Sequence, residues 1–122
     1  MRKHLSLEEK LGRLGELDPA SPETSKQLAR HLGGKNHLLA TRAAQLAARF
    51  RLPDLAPNLL DAFEFFTLHP EIDRGCSAKR AAVEALRVLE HRDPAVYLRA
   101  VRHVQLEAVW GGRQDTAGGL RA

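Results

Sequence analysis

A single cysteine among 122 residues leaves no partner for an internal disulfide. The fold must then hold by packing alone, and a reducing compartment is the natural expectation. Aromatic side chains make up only 5% of the chain. No run alternates apolar and polar residues as a half-buried strand would. Nowhere do apolar residues continue long enough to span a bilayer. The start, Met1-Arg2-Lys3-His4-Leu5-Ser6, passes straight into charged residues without the apolar core of a signal peptide. These absences together predict a soluble, cytoplasmic, all-α protein with no membrane partner.

Chemistry-bearing motifs are equally scarce. His4, His31, His37, His69, His91 and His103 show no His-x-x-x-His or His-Glu-x-x-His spacing, and there is no Cys-x-x-Cys. No metal and no cofactor is therefore expected. Gly33-Gly34-Lys35 and Gly111-Gly112-Arg113 lack the Gly-x-x-x-x-Gly-Lys-Ser/Thr pattern that cradles phosphate, so they read as turns. Cys76 sits at a helix start beside Arg74 and Lys79, which favours a thiolate, but no base can be placed next to it. A buried structural thiol is the expectation. Trp110 reads as a plug for the last helix pair, with stacking on a base or ligand as the alternative.

What is present is helix. Leu7, Leu11 and Leu14 form a narrow stripe over Ser6–Leu17, weakened by Gly12 and Gly15. After Asp18-Pro19-Ala20-Ser21-Pro22, helices are predicted from Ser21 or Pro22 to Leu32, from His37 to Phe50, and from Pro53 to Thr67. Two more follow over Ser77–Glu90 and Pro94–Val104, with Asp93 and Pro94 suited to the start of the second. Leu68–Gly75 reads as a long loop and Leu106–Gln114 as an irregular connector. Asp115 would then cap a final helix over Thr116–Ala122. The short connectors predict antiparallel neighbours.

Thr41-Arg42-Ala43-Ala44 matches Lys79-Arg80-Ala81-Ala82 at an offset of 38 residues, within the range of helical repeats. Paired helices at this spacing, an Asp-Pro turn and an Arg-Ala-Ala inner helix resemble HEAT-repeat proteins over roughly Ser21–Ala122. The resemblance implies a short right-handed α-α superhelix of stacked antiparallel pairs, about six to seven helices in all. Residues 1–20 would form an N-terminal capping helix and linker. The repeats would occupy 21–122, the last of them, from Pro94, being truncated. HEAT-like proteins act mainly as scaffolds whose concave face binds proteins, although some bind DNA and a related group handles bilins. An incomplete last repeat would leave Val96, Val101, Val104 and Val109 exposed and would invite a homodimer.

The net charge of +4 is unevenly placed. Residues 1–49 hold nine Lys/Arg against five Asp/Glu, residues 50–73 one against five, and residues 74–113 eight against four. Arg42 and Arg49 are seven apart, as are Arg80 and Arg87, so each pair shares a helix face. With Arg99 and Arg102 they are the candidate binding residues, a basic ridge on stacked inner helices suited to phosphate or carboxylate. Asp54, Asp61 and Glu64 mark the opposite choice, an acidic face for a basic protein. The expected function is a non-catalytic scaffold for protein–protein interaction. The alternative is an Arg-lined module that binds the nucleic-acid backbone.

Overall fold

The computed structural model describes residues 5–92, 94–102, 106–109, 112–115 and 117–121. The fold is all-α. Each early helix begins where a short polar side chain can take up the unpaired N–H groups of the first turn. Ser6 Oγ accepts from the Glu9 N–H at 3.2 Å and opens α1, Leu7–Gly15. Ser21 Oγ accepts from Glu23 N–H at 3.3 Å, with Pro22 in the first turn, and opens α2, Pro22–Leu32. Asn36 Oδ1 accepts from the N–H groups of both Leu38 and Leu39 at 2.9 and 3.1 Å and opens α3, His37–Arg49. A 3-10 turn, Pro53–Leu55, leads into α4, Ala56–Leu68. Then come α5, Ser77–Val88, and α6, Pro94–Arg102.

The helices assemble as two hairpins lying side by side, α2 with α3 and α4 with α5. The closest neighbours are α3 and α5, while α2 rests on α4 and α1 packs on the far side of α3. His37 Nδ1 lies 3.3 Å from Ser77 Oγ, so α3 and α5 begin at the same end of the molecule. Small side chains make that proximity feasible. Ala43, Ala44 and Ala47 on α3 and Ala82 and Ala85 on α5 are all buried in one core cluster. Phe63, Leu59 and Leu28 fill the space between the hairpins and are fully buried. Truncating Phe63 to alanine would leave a large void and cost about 3–5 kcal/mol. No helix among the described residues is long and apolar enough to cross a membrane.

Beyond α6 the chain differs from the expected irregular connector. Leu106–Val109 (β1) and Gly112–Asp115 (β2) pair as an antiparallel hairpin, Leu106 opposite Asp115 and Val109 opposite Gly112. Asp115 ends a strand, and the last helix, α7, is Gly118–Arg121, starting later than expected. The ribbon returns the chain so that α7 packs on α5 and α6, with Ala117 and Leu120 buried. The apolar end foreseen for α6 is correspondingly smaller, because Val96 is buried and Val101 remains half exposed. The expected cap Asp93 lies outside the described residues, as do Val104, Trp110 and the histidines His4 and His103.

Candidate functional site

An open groove of about 880 Å³ runs along α3, α5 and α6, with Leu120 of α7 also in its lining. Its floor is apolar: Ala48 from α3, Ala81, Val83 and Ala85 from α5, and Ala100 and Val101 from α6. Alanines at the helix contacts both draw α3 and α5 together and leave a shallow floor above them. Polar groups stand along the rim, among them Gln45, Arg80, Glu84, Arg87 and Tyr97. Arg87 is paired with Glu84 one turn earlier on α5. The hydrogen bond from Arg87 holds the Glu84 carboxyl below its usual range, and the same contact raises the guanidinium. Tyr97 donates to the carbonyl of His91 at 2.7 Å, and burial pushes its phenol above the ordinary value.

The six arginines singled out as a ridge fall in different places. Arg80 and Arg87 line the groove. Arg42 and Arg49 each follow a groove residue, Thr41 and Ala48, and so lie about 100° further round α3, outside the lining. Arg99 is held over the face of Phe63, 5.4 Å from its ring centre, as a cation–π contact. Arg102 is exposed in the last turn of α6. Asp54, Asp61 and Glu64 are exposed about α4 and line no described cavity.

Beside Thr41, Gly75 and Ser77 of the groove lining lies a polar cluster that pattern reading did not find. The loop Leu68–Gly75 is structured: two 3-10 turns, Pro70–Ile72 and Arg74–Cys76, carry Asp73 into the interior. Gly75 at φ +74° and Cys76 at φ +60° are both left-handed, and they turn the chain back beneath the start of α5. Asp73 is thereby brought under the first turn. Its Oδ1 accepts from Ala78 N–H at 2.9 Å, and its Oδ2 accepts from Lys79 N–H at 3.1 Å and Lys79 Nζ at 3.0 Å. Lys79 Nζ also donates to the carbonyl of Phe66 at 3.1 Å, tying α5 to α4. Both side chains are fully buried. Removing one partner from such a pair costs far more than either charge contributes alone. The signal was legible in principle. Lys79, Ala82, Leu86 and Leu89 follow a 3-4-3 spacing, which places a lysine on the buried stripe, and an aspartate precedes it by six residues.

Ser77, His37 and Asp73 meet here, but not as a catalytic relay. Ser77 Oγ at 3.3 Å and Asp73 Oδ1 at 3.7 Å both approach the same ring nitrogen, Nδ1 of His37, and Ser77 itself lies 3.4 Å from Asp73. A relay needs the hydroxyl on one nitrogen and the carboxylate on the other. Cys76 is buried, as expected of a structural thiol. The N–H groups of Gly33 and Gly34 are used on the carbonyls of Ala29 and His31, which closes α2 in the manner of a turn. No three His, Cys, Asp or Glu side chains converge among the described residues.

No protein-family model matches this chain, and neither a curated protein nor a solved structure matches it. The reading of function rests on its own geometry.

Proposed function

We propose that the protein is a non-catalytic, HEAT-like helical-repeat adaptor that takes up a segment of a partner protein in the groove along α3, α5 and α6. One observation carries this reading: the groove joins an apolar floor to a rim where Arg80 is exposed and has no ion-pair partner among the described residues. A floor of alanine and valine suits the apolar side chains of an amphipathic segment, read at helical spacing. Arg80 favours an acidic residue on that segment, because a guanidinium grips a carboxylate with two parallel hydrogen bonds. Glu84 forms its direct ion pair with Arg87, which leaves Arg80, although in the field of Glu84, without a direct pair of its own among the described residues. The side-by-side hairpins support the repeat reading, since inner helices of adjacent pairs form such a face in helical arrays.

The test places a photo-crosslinking residue at Gln45 in the groove and, as a control, at Asp61 on α4. Crosslinks to one defined acidic segment from Gln45 alone are expected, and Arg80→Glu should abolish them with the circular dichroism unchanged. Retention of the partner by Arg80→Glu, or equal capture from Asp61, would exclude the groove. Steeply salt-dependent duplex binding that Arg42→Glu/Arg80→Glu removes would replace this reading with a nucleic-acid one.

A further inference from the structure

A second cavity, of about 540 Å³, lies where α1, α2 and the connector before α3 meet. Its walls carry Lys10 and Arg13 from α1, Lys26, Arg30 and His31 from α2, and Lys35 from the connector. Glu23 is the acidic residue in the lining, and Lys26 engages it at 3.4 Å. Lys10, Arg13, Arg30 and Lys35 have no acidic partner within ion-pair distance among the described residues. Four uncompensated cations around one concavity repel one another and focus a positive potential into it. Burial first, then Lys10 and Arg30, hold the imidazole of His31 in the same lining below the ordinary histidine value.

The remaining lining narrows the ligand. Its apolar members are Leu5 and Leu39, and no Phe, Tyr or Trp is present to stack on a base. The size falls in the range of small-molecule pockets and is too small for a duplex. The amides of Gly33 and Gly34 are already spent within α2, so recognition falls to side chains. Arginine forks and lysine ammonium groups on three sides match a compact ligand with several anionic oxygens. We propose that this pocket binds a small polyphosphate anion, recognised through its phosphates alone. The site is separate from the α3–α5–α6 groove, and it shares no lining residue with it.

The experiment titrates the full chain with inorganic tripolyphosphate and follows the backbone amides and the His31 ring by NMR. Sulfate at matched ionic strength is the control. The expected result is saturable binding with shifts confined to α1, α2 and Lys35–Asn36. The His31 titration should move upward, since a bound anion offsets Lys10, Arg13, Lys26, Arg30 and Lys35, the cations that face it, and outweighs Glu23. Arg30→Gln/Lys35→Gln changes two exposed side chains and should weaken binding about 100-fold, roughly tenfold per charge-assisted contact. Arg80→Gln/Arg87→Gln, in the groove, should leave it unchanged. ATP should bind within about threefold of tripolyphosphate, because the lining holds no Phe, Tyr or Trp to stack on its base. Shifts that never saturate, that sulfate reproduces, or that survive Arg30→Gln/Lys35→Gln would overturn the proposal. So would a much tighter affinity for ATP.

Discussion

Replacing Asp73 with alanine tests the interior of the fold more sharply than any apolar truncation. The change strands the Lys79 ammonium, fully buried, with the Phe66 carbonyl as its remaining acceptor at 3.1 Å. It also removes the acceptor that the Ala78 and Lys79 N–H groups use at the start of α5. Breaking a buried pair from one side costs about 3–5 kcal/mol. A domain of this size is stable by about 5–15 kcal/mol, so the variant should lose about a fifth or more of its margin. Urea unfolding followed by helical circular dichroism would read the loss as a lower midpoint at unchanged slope. The melting temperature should fall by roughly 10–20 °C. Asp73→Leu/Lys79→Met removes both charges at once. It should recover much of the loss, with a coupling of about 1–3 kcal/mol in the double-mutant cycle. A cost below about 1 kcal/mol for Asp73→Ala would mean that water reaches the pair, and the claim that it pins α5 to α4 would fail.

Three further outcomes follow from single residues. Gly75→Ala meets no atom within 4 Å of the new methyl group, so its cost is one of backbone alone, about 1–2 kcal/mol at φ +74° by urea midpoint. Asn36→Ala deprives two N–H groups of α3 of their acceptor and should cost about 1 kcal/mol by the same measurement. His31 is harder to protonate in the fold than in the unfolded chain, so the unfolded state binds more protons as pH falls through the ordinary histidine range. Stability should therefore decline as pH falls below the ordinary histidine value, until His31 protonates in the fold as well, and His31→Gln should flatten that decline.

The helices were legible because their ends are written in local chemistry. Ser6, Ser21 and Asn36 each stand directly before a helix, and each accepts a hydrogen bond from its first turn. The alanine pattern around Ala43 and Ala82 carried the packing of α3 on α5, because small side chains at helical spacing permit close approach. The polar cluster was missed for a physical reason. Asp73 caps α5 from outside the helix through two left-handed residues, and Lys79 was weighed only as a cation beside Cys76, although its spacing puts it on the buried stripe. The basic pocket was missed because its cations come from three separate segments. Arg13 and Lys35 are far apart in sequence and meet only once α1 and α2 have docked. The ribbon after α6 was missed because Gly112 and the residues around it carry little hydrophobic alternation to mark a strand.

Burial of Lys79 and Cys76 three residues apart on one turn makes that turn a natural clock. Amine reagents reach exposed Lys26 and Lys35 in the native fold, whereas Lys79 becomes reactive only when α5 lifts from α4. Thiol reagents meet the same barrier at Cys76. Two unrelated chemistries thus report one opening event. Equal protection factors from both would show that one opening of the native fold exposes the two side chains, with no mutation needed.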